Sequence, residues 1–322
     1  METKSLIQHY PQRTNSPLIP HNKLIPHLYL HQIPFAALPL EDQYLGDRFR
    51  LRTISSYQLL QACSDRDPVK GDRPYGIVSD TRNDLLFSRF EAEQVAELFT
   101  HPPAQQIQGQ AAATYATYRQ LLLQSGEKAV QAVLSSHHAY SRLDAPLASG
   151  LCLGDRDLTL GELLSPSWRM PDLDEVFLSC CETGLGLVKN RTDDILTLGT
   201  GFLYAGARGV ISSLWVVDDM ATALFSIFYH RERKQGSDRV TALQTAQRHL
   251  RDLSGEQMKE EFSEKLKAYL TERSNQAFDQ GDEKTGGKLM YLCEYGLKTF
   301  HEKDRPFAAL EYWAAFTCQG LP

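Results

Sequence analysis

Between Tyr75 and Leu253 the chain alternates short apolar runs with amphipathic ones, and this alternation limits its possible folds more than any other feature. The runs at Tyr75–Ser79 (YGIVS), Ala132–Ser136 (AVLSS), Glu175–Ser179 (EVFLS) and Gly209–Trp215 (GVISSLW) have strand length and little polar alternation. Such runs suit strands buried on both faces. Between and after them, Arg89–Phe99, Thr114–Gln124, Asp194–Ala205, Met220–Arg233 and Val240–Leu253 carry apolar residues at helical spacing. Strand and helix in alternation predict an α/β fold, a mostly parallel sheet with helices on both faces. Ligands of such sheets bind beyond the carboxyl ends of the strands.

Two of those ends carry chemically active side chains. Ala132–Ser136 runs into His137 and His138. Glu175–Ser179 runs into Cys180 and Cys181, within the stretch DEVFLSCCETGLG. Outside the alternating region, residues 1–20 are polar and Pro-rich and read as a tail or linker. Leu24–Leu30 and Arg50–Ile54 read as short strands. Residues 255–300 are dense in Glu, Lys, Gln and Arg, which predicts a helical insertion with a Gly-rich loop at Thr285–Gly287. An apolar closing segment follows at Tyr312–Thr317. Residues 21–322 are therefore expected to form one domain.

Composition excludes several functions. A net charge of −6 does not suit a general nucleic-acid surface, which would be basic. No apolar run approaches the roughly 18 residues of a membrane span. The N-terminal METKSLIQHYPQRTNSP has no apolar signal core, so a cytoplasmic protein is expected. The six cysteines are scattered, with neither a disulfide framework nor zinc-ligand spacing. No P-loop, GxSxG or HExxH motif occurs.

Thiol catalysis needs a thiolate, a base beside it in space, and donors for a tetrahedral oxyanion. Positions 137 and 181 are 44 apart, a spacing that suits neighbouring strand ends joined by a crossover. A histidine beside the thiol would lower the thiol pKa from about 8.5.

The residues here resemble a known family. VLSSHHAYSRLDAPLASGLCLGDRDLTLGELL resembles the histidine motif of the CHAT family (caspase HetF associated with TPRs), in the caspase–separase group of cysteine peptidases. FLSCCETGLG resembles that family's LSACETG. GARGVISSLWVVDD resembles its next core strand, IPHLYLHQIPFAALP its N-terminal hairpin and RPFAALEYWAAF its closing strand. The motifs stand in family order from Lys23 to Phe316. The resemblance implies a caspase-like α/β/α sandwich with a mostly parallel central sheet, an N-terminal β-hairpin and a C-terminal helical insertion. It implies a cysteine endopeptidase acting on a protein substrate through a thioester, without metal or organic cofactor.

Carried over by position, Cys181 matches the nucleophile and His137 the base. His138 stands where the family has a glycine whose N–H helps form the oxyanion hole, with the N–H of Cys181 as second donor. His138 is open to either role. Asp219, or Asp218 beside it, matches an aspartate that receives a basic P1 side chain in the separase relatives, which implies cleavage after Arg. Family members often carry a TPR region ahead of this domain. None is read in this sequence, which leaves two expectations open, an excised domain or a separate regulatory or TPR partner; neither nucleic acid nor membrane is expected. Two rivals stay open: an idle pseudoprotease used as an interaction module, and a redox sensor built on Cys180 and Cys181.

Plainer readings stand beside these. Cysteines at strand ends are usually packed, and alternation should turn Cys180 away from Cys181. Asp218 and Asp219 also fit the cap and first turn of the next helix. Glu182 reads as a turn residue, and Asp144 as a loop residue. Gly199-Thr200-Gly201 reads as a site of close helix packing. Lys259, Lys265 and Lys267 read as candidate self-cleavage sites in a loop after Leu253.

Overall fold

Successive residues of a strand face opposite sides of its sheet, and the central strands carry large apolar residues on both. In the computed structural model, which describes residues 21–68, 71–142, 144–180 and 196–322, the main sheet has eight strands. They are β1 (His21–Leu24), β2 (Arg50–Thr53), β3 (Tyr75–Ser79), β4 (Gln105–Gln108), β5 (Ala132–Ser136), β6 (Glu175–Ser179), β7 (Gly209–Ser213) and β8 (Phe316–Gly320). Their order is β1-β2-β8-β7-β6-β5-β3-β4. Neighbours run parallel except β7 and β8.

The helices that pack on this sheet are α1 (Tyr57–Ser64), α2 (Ser88–Leu98), α3 (Tyr115–Leu122), α4 (Leu198–Ala205), α5 (Asp219–Lys234) and α6 (Arg239–Asp252), followed by α7 (Gly255–Asp279) and α8 (Glu283–Tyr291). Strand alternation divides the core in two. Ile77, Leu134, Phe177 and Ile211 pack with Phe90 of α2, Phe225 of α5, Leu243 of α6 and Phe262 of α7. Val78, Val133, Val176 and Val210 pack on the opposite face with Leu60 of α1, Tyr118 of α3 and Phe202 of α4. The result is the three-layer α/β/α sandwich with a mostly parallel sheet that the alternation predicts. Phe177 is fully buried, with its ring 5.0 Å from that of Tyr229. Its truncation to Ala would cost about 3–5 kcal/mol.

The edges differ from the sequence reading. Residues 28–32 form a 3₁₀ turn, not a strand. Pro26 and Pro34 flank it, and proline cannot donate to a ladder. β1 and β2 pair in parallel, and the N-terminal hairpin is instead the two-residue ribbon Pro39–Leu40 with Gln43–Tyr44. Thr285, Gly286 and Gly287 lie inside α8, not in a loop. A Cβ on Gly286 would stand 2.8 Å from the Phe278 ring, so the glycine serves close contact between α7 and α8. Lys259, Lys265 and Lys267 lie on α7, a 25-residue helix whose apolar side is buried, not in a loop that a peptidase could cut. Among the described residues, no helix is long and apolar enough to cross a membrane.

Candidate active site

The carboxyl ends of β3, β5, β6 and β7 are lined with serines, namely Ser79, Ser135, Ser136, Ser179, Ser212 and Ser213. Ser136 is the Cα partner of both Ser179 and Ser79, so the three ends are level. The two histidines leave β5 from this point.

His137 turns inward and is 1% exposed. Its Nδ1 lies 3.0 Å from the carbonyl oxygen of His138, and its Nε2 lies 3.1 Å from Ser135 Oγ. A carbonyl can only accept, so Nδ1 carries the proton and Nε2 accepts from the Ser135 hydroxyl. Tyr118, whose hydroxyl is 2.9 Å from Ser135 Oγ, completes the chain as donor. Tyr118 also meets the imidazole edge-on. Burial holds the His137 pKa down at about 4, so its ring is neutral. Cys180 is buried in the same layer, and its thiol donates to the Ser135 carbonyl at 3.0 Å. Cys180 is thus a packed strand-end cysteine, as the plainer reading expects.

His138 turns outward, with a side chain 35% exposed. Its carbonyl accepts from the Cys152 N–H at 2.9 Å, which opens a three-stranded antiparallel sheet of Ala139–Tyr140, Gly150–Cys152 and Asp157–Thr159. Its Nε2 lies 3.0 Å from Asp84 Oδ1. A carboxylate accepts, so in the neutral ring Nε2 carries the proton and Nδ1 holds the basic lone pair.

Asp84 is held by an ordered loop between β3 and α2. Asp80 and Asn83 adopt positive φ of 49° and 57°, a region that Asp and Asn enter more readily than most residues. Asp80 accepts from Arg89 Nε at 2.7 Å and from the Leu85 N–H at 3.1 Å. Asn83 Oδ1 accepts from Arg89 at 2.8 Å and from the Gln110 N–H at 3.2 Å.

The two aspartates after β7 divide their roles. Asp218 is exposed and caps α5, accepting from the Ala221 N–H at 3.0 Å. Asp219 points back toward the loop that carries Asp84, and accepts from the Phe87 N–H at 2.9 Å. Burial raises its pKa above the ordinary aspartate value. Among the described residues, no basic side chain pairs with it.

Cys181 and its N–H lie outside the described residues, as do Glu182, Gly184, Gly186, Asp194 and Ile195. The structure therefore brings His137, Cys180 and Ser135 together on one side of the strand ends, and His138 and Asp84 on the other. Asp144 is exposed in its loop. Gly201 packs closely on Leu160, as the packing reading expects.

Two residues at these strand ends were not singled out from the sequence. Asp84 is one loop acid among several, and nothing in the sequence marks it. Glu91 did carry a signal. It falls between Phe90 and Val95 on the apolar side of α2, where a carboxyl must be buried, and it is 1% exposed.

A family profile described as the CHAT domain matches residues 6–321. No curated protein sequence matches the chain. Solved structures do. The Saccharomyces cerevisiae separase–securin complex aligns with a TM-score of 0.50 at 14% identity, over 96% of this chain and 16% of that one. The Arg-specific cysteine proteinase gingipain R aligns with a TM-score of 0.46 at 10% identity, over 84% of this chain and 54% of that one. The chain thus spans about a sixth of the separase chain and about half of the gingipain chain. The architecture is a caspase-like cysteine-protease fold.

Proposed function

Since the chain belongs to the CHAT-domain family, we propose that it is a cysteine endopeptidase in which Cys181 attacks the scissile carbonyl of a protein substrate and His138 is the base. The observation that carries the choice of base is the contrast between the two histidines. His137 has both ring nitrogens engaged inside the protein and would have to become a buried imidazolium to take a proton. His138 is partly exposed, with Asp84 on its Nε2. Register supports the same choice. Ser136 and Ser179 are paired, and two residues on from each are His138 and Cys181, whereas His137 falls level with Cys180.

In this reading His138 Nδ1 takes the thiol proton, and the thiolate adds to the carbonyl. Two N–H groups stabilise the oxyanion, that of Cys181 and that of the residue after the base. With His138 as base, that residue is Ala139 rather than His138. The tetrahedral adduct collapses to a thioester as His138 returns the proton to the leaving amine. Water, deprotonated by His138, then releases the acid. Asp84 acts through His138, orienting the ring and stabilising its charged form. Asp219 receives an arginine at P1, where a bidentate guanidinium contact would supply a cation that this carboxylate finds nowhere among the described residues.

The test is hydrolysis of a fluorogenic peptide panel varied at P1, by wild type and by Cys181→Ala, His138→Ala and His137→Gln. Loss of turnover with the first two variants and retention with the third supports the reading. A wild type inert on every peptide would sink it.

A further inference from the structure

We propose that Glu91 is a positioning residue that ties the carboxyl ends of β5 and β6 together, and so sets the spacing of the base and nucleophile that follow them. This rests on the assignment of His138 and Cys181 above. Glu91 reaches from α2 to the sheet with a single oxygen. Its Oε2 lies 2.5 Å from Ser136 Oγ and 2.9 Å from Ser179 Oγ. These serines are the last Cα partners of the β5–β6 ladder. Among the described residues no further ladder pair of these two strands follows them, and in the sequence the proposed base and nucleophile stand two positions after each.

Proton counting shows how the bridge is wired. The Ser88 hydroxyl gives its proton to the Ser136 carbonyl at 2.6 Å and accepts from the Asp80 N–H at 3.0 Å. Ser136 Oγ lies 2.8 Å from Ser88 Oγ as well as 2.5 Å from Glu91. Ser136 has one proton, and a protonated Glu91 satisfies both contacts. Ser136 then donates to Ser88 and accepts from the carboxylic acid, while Ser179 donates to it. Burial favours that form, pushing the Glu91 pKa up to about 8. A buried carboxyl is a costly way to fill space. It is a direct way to couple two strands and a helix through one atom. Catalytic geometry repays such control, since a misplacement of about 1 Å can cost about a hundredfold in rate.

The test uses the full chain with Glu91→Ala, Glu91→Gln and the double variant Ser136→Ala/Ser179→Ala. Three quantities are read: the iodoacetamide rate of Cys181 by mass spectrometry, kcat and KM on the best peptide, and the melting temperature. Glu91→Ala should slow Cys181 alkylation and kcat at least tenfold while KM stays within twofold. Glu91→Gln keeps a donor and an acceptor of the same size and should remain within threefold of wild type. If Glu91→Ala does not fold, the double serine variant must show the same loss of kcat. A folded Glu91→Ala or serine variant with wild-type alkylation and kcat overturns the proposal. So does a Glu91→Gln as slow as Glu91→Ala. Wild-type Cys181 reacting no faster than the partly exposed Cys293 would instead sink the dyad reading itself, and the role of Glu91 with it.

Discussion

Asp84 Oδ1 stands 3.0 Å from His138 Nε2, on the outward side of a strand end whose inward side holds the sealed imidazole of His137. One step along the chain separates a histidine that solvent can reach from one that it cannot. The pair also settles a tautomer, because a carboxylate on Nε2 leaves the lone pair on Nδ1.

Removing that carboxylate should cost rate without costing the fold. Asp84 is about half exposed, so the ion pair itself contributes little to stability. Its effect would fall on ring orientation and on stabilising the imidazolium, as in other base–orienter pairs. Asp84→Ala is expected to lower kcat about tenfold, with KM and the melting temperature nearly unchanged. Steady-state kinetics on the peptide cleaved best checks this. An unchanged kcat would leave Asp84 as a surface contact only.

His137→Gln should separate structure from chemistry in the opposite sense. The imidazole closes the chain from Tyr118 through Ser135 to the His138 carbonyl. Breaking it strands buried polar groups, at about 1–3 kcal/mol. The expected variant melts several degrees lower and keeps the wild-type kcat of its folded fraction. A kcat reduced more than a hundredfold in a folded His137→Gln would return the base to His137.

The layers were legible because every central strand advertises its burial on both faces. Val176 and Phe177, for example, can both be large and apolar only between two helix layers. The sheet edge was less legible. Whether β1 and β2 run parallel or fold back depends on the short proline-flanked segment between them, and apolar pattern does not encode direction. The site was half legible. A strand ending in two histidines marks a candidate site in the sequence, but which ring faces out depends on where the strand stops alternating. That is decided by the bond from the distant Cys152 N–H to the His138 carbonyl, together with the local contact of His137 with Ser135, and apolar pattern encodes neither.

Buried titrating groups give the fold a stability maximum between its acid and alkaline limits. His137 and His230 are each held neutral by burial, with pKa values lowered from 6.5 to about 4. The unfolded chain binds their protons first, so their contribution is complete above about pH 6.5 and is lost as pH falls to about 4. Glu175 is buried, which alone would raise its pKa. Arg233 and Arg239 override burial and hold it at about 2, so its contribution is lost as pH falls from 4.5 toward 2. Glu91 has the opposite sign. With its pKa raised from 4.5 to about 8, it binds its proton more tightly folded than unfolded, and its contribution fades as pH rises through that range. Each group adds a slope of about 1.4 kcal/mol per pH step. The melting temperature should therefore peak near pH 6.5 and fall fastest below pH 4.5, where Glu91 no longer opposes the histidines and Glu175 begins to titrate. Glu91→Gln should flatten the limb between pH 6.5 and 8, steepen the fall between pH 6.5 and 4.5, where Glu91 had opposed the two histidines, and leave the limb below pH 4.5 as it was. Calorimetry across pH 3–9 on both proteins checks this, and an alkaline limb unchanged in the variant would refute the assignment.

Specificity should separate Asp219 from Asp218. Asp218 already spends its carboxylate on the first turn of α5. Its change to Ala should cost about 1 kcal/mol of stability and leave the P1 preference alone. Asp219 is half-buried and faces the loop beside the candidate base, with backbone N–H groups and, among the described residues, no cation as partners. An arriving arginine would turn that unfavourable burial into a charge-assisted pair, worth about 1.5–3 kcal/mol. Asp219→Ala should therefore lower kcat/KM for Arg peptides by about 10- to 100-fold and barely affect peptides with apolar P1 residues. Because the carboxylate must be ionised to act, the Arg preference should also weaken as pH falls, sooner than an ordinary aspartate would allow. If Asp218→Ala abolishes the preference and Asp219→Ala does not, the pocket lies on the exposed side of the α5 cap. If neither changes it, the P1 side chain is not recognised by charge, and the half-buried Asp219 serves only to fasten the β3–α2 loop to α5.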